Sequence, residues 1–267
     1  MPHDPLVLLL HVGDAFAVMF RHAPGFEARR SAGSWYASSG EADCSLNWVG
    51  LTGSSAADVA TLRHAVARLR QRRIEGLVCY PPVAETALTA VFRELGLGEP
   101  EDVPLMTCAA VDLPPLYASA IVVERMTSVA ALAEAVAVVA AGFGIPVAQT
   151  ARAFTADLLA DPAVRTYAAR RNGVVVGVLA GTRAGDEVSV DLMAVDPASQ
   201  RQGIGRALML AALHDLAAAG ATGFHLLSSP EGKRLYDQVG FRTILLTRTR
   251  LVPVHPVHPV LPDAGIT

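Results

Sequence analysis

Lysine is nearly absent from this chain: of the 22 basic residues only Lys233 is a lysine. That scarcity reads as genomic base composition and carries no mechanism, but it removes the Gly-Lys-Ser/Thr that a Walker phosphate loop requires. Charge is also sparse. Charged residues make up 18% and the net charge is −3, so no global basic field draws the protein to nucleic acid or anionic membrane. The three cysteines, Cys44, Cys79 and Cys108, are scattered and odd in number, which excludes a disulfide framework and a zinc site read from spacing. Long apolar runs are missing too. The longest uncharged stretch, 135–149, contains Gly142, Gly144 and Pro146 and is too short to span a bilayer. The N-terminus has no basic segment and carries Asp4 and Asp14 around a five-residue apolar run, so it does not read as a secretion signal. A cytoplasmic location, with no membrane or nucleic-acid partner, is the expectation.

What is present is apolar material: 52% of 267 residues, enough for two modest domains or one large one. The second half is the easier to read. A short β-type run covers 121–124, and Ser128 is an N-cap for an Ala/Val-rich helix ending near Gly142. Another helical stretch over 151–160 is stopped by Asp161-Pro162. Two strands follow, joined by Asn172-Gly173, the dipeptide that best accepts positive φ in a type I′ hairpin. After Gly185-Asp186 a third strand alternates Val188, Val190 and Leu192 against Glu187, Ser189 and Asp191. The segment QRQGIG leads into a helix with Ile204, Leu208, Ala212 and Leu216 on one face, ended at Gly220. A strand at 224–227, a short helix at 231–239 and a final strand from Phe241 complete the half.

The first half looks like a worn copy. A strand at 46–52 precedes a helix whose face carries Val59, Leu62, Val66 and Leu69. Next come a strand at 77–80, a helix with Leu88, Val91 and Leu95, and a strand near 103–108. Gly76 and Gly223 precede corresponding strands, and Gly96 and Gly240 follow corresponding helices, which suggests a duplicated unit. The linker falls at Asp112-Leu113-Pro114-Pro115. The proline-punctuated tail from 252 reads as an extended edge or a flexible end, and His255 and His258 in it lack partners at metal-ligand spacing.

One loop carries chemistry. Between a strand and a helix the chain reads Val195-Asp196-Pro197, then Gln200-Arg201-Gln202-Gly203-Ile204-Gly205-Arg206. Two glycines opening a helix present orphan N–H groups at the positive end of its dipole, and the missing side chains let an anion approach. That is a pyrophosphate site needing neither metal nor lysine. The three-glycine dinucleotide fingerprint is absent. About thirty residues on stands Leu235-Tyr236, with Gly240-Phe241 closing the helix.

This Q-x-x-G-x-G after V-D-P, followed by L-Y-x-x-x-G-F, resembles the GNAT superfamily of acyl-CoA-dependent N-acyltransferases over about 119–250. The first half resembles the degenerate N-terminal domain of tandem members. The resemblance implies an α/β fold of two GNAT-like domains, each a mixed, mostly antiparallel sheet flanked by helices: 1–115 without a cofactor loop and 119–260 catalytic. It implies acetyl-CoA as co-substrate, the backbone of Met193, Ala194 and Val195 pairing with its pantetheine arm, and the N–H groups of Arg201, Gln202, Gly203, Ile204, Gly205 and Arg206 holding its pyrophosphate. Tyr236 would protonate the leaving thiolate. Ser229 stands where the superfamily often has an asparagine on the pantetheine, and a serine reaches less far.

The acceptor's ammonium must lose a proton before it attacks. Asp191, on the strand before the loop, is the candidate base, while His225 and His214 read as packing or surface residues. The expected activity is acetyl transfer to an amine, of a small molecule because no acidic block suggests a basic peptide. The alternative is a non-catalytic acyl-CoA-binding or regulatory module. The first half is expected to bind no acetyl-CoA, since Asp58 sits near the start of its equivalent helix and Phe92-Arg93-Glu94-Leu95 replaces the tyrosine-bearing turn.

Overall fold

The computed structural model describes residues 4–117 and 119–257; His258 and the end of the tail lie outside them. The chain opens with α1 (Pro5–Phe20), followed by β1 (Glu27–Arg30), β2 (Ser34–Ser38) and β3 (Asn47–Leu51). Then come α2 (Ala56–Arg72), β4 (Gly76–Tyr80), α3 (Glu85–Glu94) and β5 (Glu101–Ala109). The second half is β6 (Val122–Arg125), α4 (Val129–Phe143), α5 (Val147–Ala153), α6 (Ala156–Ala160), β7 (Val164–Arg171), β8 (Val174–Ala184) and β9 (Glu187–Val195). It ends with α7 (Ile204–Ala218), β10 (Gly223–Leu227), α8 (Pro230–Gln238) and β11 (Arg242–Val252).

Local signals act as read. Ser128 accepts a hydrogen bond from Ala131 N at the start of α4, and Gly144 ends it at φ 72°. Asn172 and Gly173 both take positive φ, 52° and 82°, in the β7–β8 hairpin. The helical stretch expected at 151–160 is two short helices, α5 and α6, broken at Phe154 and Thr155. The N-terminal segment forms a helix that has no 3.6-residue stripe to betray it, because α1 is apolar nearly all round. Asp4 caps it and Pro5 occupies its first position.

The expectation of a separate sheet in each half is corrected. All eleven strands form one sheet, ordered β1-β2-β3-β4-β11-β5-β10-β9-β8-β7-β6. The element orders of the two halves do match, down to parallel pairing of β3 with β4 and of β9 with β10. The last strands, however, are exchanged. β11 pairs with β4, β5 pairs with β10, and β5 and β11 pair with each other, all antiparallel. Each half-sheet is therefore completed by the other half's final strand.

Helix α1 sits inside this arrangement, touching β2 and β3 on one side and β8, β9 and β10 on the other, so the sheet curls around it. Leu8, Leu9 and Val12 pack with Trp35, Ala37, Cys79 and Leu105, while Met19 and Phe20 pack among side chains of α4 to α6. Polar ties cross between the halves as well. Arg21 Nε and His22 Nε2 reach Asp161 at 2.6 and 2.8 Å, and Arg152 pairs with Glu41 at 2.7 Å. Opposite α1, α7 covers a core with Leu208, Leu213, Phe224 and Tyr236. Among the described residues no single helix is long and apolar enough to cross a membrane.

A fragment of residues 119–267 loses β5 and leaves β10 with an open edge, while its own β11 has no strand to join. The fragment is expected to show no cooperative thermal transition, whereas the full chain melts in one. A fragment with a full-chain transition would show that the exchange is dispensable.

Candidate active site

The site begins where a strand pair comes apart. β9 and β10 pair only from Glu187/Gly223 to Ser189/His225. Beyond that row β9 stays with β8 as far as Val195/Gly177, and β10 stays with β5 as far as Leu227/Leu105. A wedge opens between them. On its β9 side the register with β8 slips between Val178 and Ala180, so Leu192 and Met193 share the place opposite Leu179. Leu192 takes φ 52°, an unusual conformation for a branched side chain, inside this bulge. Asp191, Met193, Ala194 and Val195 thus line the β9 edge of the wedge.

The loop after β9 turns through a one-turn helix at Pro197–Ser199, tied by the Ser199 hydroxyl to Asp196 at 2.9 Å. Arg201 at φ 59° and Gly203 at φ 77° aim the chain into α7. No side chain caps α7. Its first N–H groups are left for another partner, at the end where the helix dipole favours an anion. The corresponding α2 is closed: Ser55 Oγ accepts from Asp58 N at 3.2 Å, and Asp58 Oδ2 accepts from Ser55 N at 3.0 Å.

The two loop glycines have different reasons. A Cβ on Gly203 would meet nothing within 4 Å, so the backbone there is open to solvent and needs glycine for its positive φ. A Cβ on Gly205 would lie 3.1 Å from Leu235 Cδ2 and 3.2 Å from Met193 Cε, so this glycine lets α8 and β9 close on α7. The side chains of Arg201 and Gln202 are exposed; Gln202 is held by Arg171, and Arg206 lies over the Tyr117 ring at 4.9 Å.

At the inner end of the wedge stands Tyr236, buried against Phe241 with ring centroids 6.0 Å apart. Its hydroxyl has no hydrogen-bond partner among the described residues. A Cβ on Gly232 would lie 2.9 Å from the Tyr236 ring, so Gly232, one turn earlier, makes room for it. Sequence reading passed over this glycine, although its place four residues before the tyrosine was the available signal. Ser229 caps α8 by accepting from Gly232 N at 3.1 Å, which engages its oxygen and leaves its proton to donate.

Asp191 and Tyr236 lie on opposite faces of the sheet, yet the wedge brings them into each other's field. Burial pushes the Tyr236 hydroxyl up to about 12, and the Asp191 charge adds to that. Burial likewise raises Asp191 to about 7, although Ser189 Oγ donates to its Oδ1 at 3.1 Å and pulls the other way. The Thr182 hydroxyl on the neighbouring strand pulls in the same direction as Ser189. A carboxyl that titrates near neutrality can act as a general base at working pH. His214, by contrast, is a structural contact: its Nε2 lies 2.9 Å from the Pro114 carbonyl and fixes the linker to α7.

The raised Asp191 makes a stability prediction. Its folded value of about 7 stands above its ordinary 3.8, so the folded state binds the proton more tightly. Stability from this group is full at low pH and is lost as pH rises between those values. Asp191→Asn should therefore leave stability little changed at pH 4 and increase it at pH 8, by at most about 4 kcal/mol for three pH units. Thermal melts of both proteins at the two pH values measure it, and an Asn variant less stable at pH 8 would contradict the assignment.

Residues 131–250 match the acetyltransferase (GNAT) domain family. No functionally curated protein matches the chain. Among solved structures, a GCN5-related N-acetyltransferase from Kribbella flavida is similar over 91% of this chain and 95% of its own, at 17% identity and TM-score 0.66. A GCN5-related N-acetyltransferase from Sphaerobacter thermophilus is similar over 84% and 81%, at 15% identity and TM-score 0.57. The glucosamine N-acetyltransferase region of a fungal multi-domain β-N-acetylglucosaminidase is similar over 93% of this chain and 37% of its own, at 14% identity and TM-score 0.59. The fold likeness thus spans both halves, while the family match lies in the second. The split strand pair and the uncapped helix both lie within residues 131–250, the part of the chain that matches the acetyltransferase (GNAT) domain family.

Proposed function

We propose that the protein is an N-acetyltransferase that moves an acetyl group from acetyl-CoA to the amine of a small molecule, by direct attack with both substrates bound. The observation that carries this is the convergence of Asp191 and Tyr236 at the inner end of a wedge whose outer end meets the uncapped start of α7. The residues present fit acetyl-CoA. The free N–H groups from Arg201 to Arg206, with open space over Gly203, suit a pyrophosphate, and the unladdered edge at Met193, Ala194 and Val195 suits an amide-bearing arm. Ser229 still has a proton to offer that arm.

Acetyl-CoA supplies an acyl thioester; the protein supplies placement and proton transfer. Asp191 takes a proton from the acceptor's ammonium, which frees its lone pair. The new C–N bond forms as the C–S bond breaks, the Tyr236 hydroxyl gives its proton to the departing sulfur, and the nitrogen's second proton then restores that hydroxyl. A carboxylate on the wedge edge whose charge reaches the Tyr236 hydroxyl favours the enzyme over a binding module that had lost its acceptor site. The first half, 1–115, serves as a wall. Its α1 covers the Asp191 side of the sheet, and its own equivalent helix is closed by Ser55 and Asp58. The second half, 119–260, holds the cofactor.

Release of free thiol from acetyl-CoA with a panel of small amines tests this reading. Tyr236→Phe should lower turnover by about 10²–10⁴-fold, the usual worth of a general acid, while cofactor affinity changes little. The loss should shrink as pH rises, because a thiolate near its own pKa of roughly 8.5 leaves without a proton. Unchanged turnover, or no release with any amine, would refute the proposal.

A further inference from the structure

On the α1 side of the sheet, one row of polar side chains crosses three strands. Thr182 on β8 stands opposite Ser189 on β9, and Ser189 is in register with His225 on β10. All three are fully buried. Glu187 and Asp191, two residues to either side of Ser189, share its face. His225 Nδ1 lies 3.8 Å from Glu187 Oε2. Above it His11 of α1 places its ring 6.1 Å away, centroid to centroid, tilted 46°. Nδ1 of His11 is buried with no hydrogen-bond partner among the described residues, and the Thr182 hydroxyl acts on Asp191.

The transfer chemistry leaves His225 unused, yet its surroundings are not those of a packing residue. Burial opposes the imidazolium, a carboxylate within ion-pair distance favours it, and low exposure to water lengthens the reach of its charge. The row of which it is the end contains the hydroxyl that donates to Asp191. Among the described residues, the titratable groups on this face of the row are Glu187 from β9 and His11 from α1, while Tyr236 of α8, on the other face, feels the charge of Asp191. β8 presents Thr182, and β5 presents Thr107, whose hydroxyl donates to the Phe224 carbonyl at 3.0 Å.

We propose that His225 is a positioning residue for Asp191: held against Glu187 and roofed by His11 of the first half, its imidazolium favours the ionised carboxylate and so sets the pH above which Asp191 can accept a proton. The inference rests on Asp191 as the base. It also gives the first half a chemical part, because α1 delivers the ring that closes over His225.

Carboxyl and imidazole titration by NMR tests it without any turnover, so its failure is separate from that of the proposed activity. In His225→Gln the Asp191 midpoint should rise by about one pH unit, the size of a single charge acting across roughly 10 Å at an effective dielectric of about 20. Coupling is reciprocal, so in Asp191→Asn the His225 midpoint should fall by about the same amount. The second variant sits at the wedge and decides the matter even if His225→Gln does not fold. Where turnover is measurable, the acid limb of kcat/KM should move up in pH with His225→Gln. Midpoints that stay put in both titrations, or shift the other way, would overturn the proposal.

Discussion

The placement of β10 governs the rest of this molecule. It is held on one side by β5 of the first half along its whole length, and on the other by β9 for only three residue pairs. Because β5 fixes its direction, β10 can part from β9 without losing its place in the sheet. The wedge that results separates β9 from β10 beyond the Ser189/His225 pair. Tyr236 belongs to the α7 core and Asp191 to the α1 side, and an unbroken ladder would have screened them from each other. The exchange of final strands is therefore more than a way to join two halves, since it braces the opening on which the chemistry depends.

The two halves show how a shared frame is made to differ. Both have a parallel strand pair of three register positions, and both send a helix off the strand that precedes it. In the second half that helix starts uncapped behind Gly203; in the first, Ser55 and Asp58 satisfy the same kind of N–H groups and add a negative charge. A few side chains at a helix start thus separate an anion site from a structural turn. The first half retains its apolar faces and its α1, and packs that helix against β8, β9 and β10 of the second.

Legibility in the sequence followed how local each cause is. Caps, the Asn172-Gly173 hairpin, the Gly203 loop and the helix faces depend on neighbours in sequence and could be read directly. The helix α1 could not, because apolar residues on nearly all its sides erase the periodicity that marks an amphipathic helix. Nor could the single sheet: β5 and β11 both pack in register as ordinary antiparallel strands, and nothing in either names its partner. Asp191 was readable from its strand face. The burial that raises its pKa, and the pairing of its strand with β10 that sets Ser189 beside His225, come from tertiary packing and could not be read there.

Calorimetric titration of acetyl-CoA into the full chain tests the central claim, that one wedge and one uncapped helix form one cofactor site. The account predicts one acetyl-CoA per chain, and loss of that binding in a folded Gly205→Glu variant, whose carboxylate would press on Leu235 and Met193 at the start of α7. Two sites per chain, or full affinity in the variant, would contradict it.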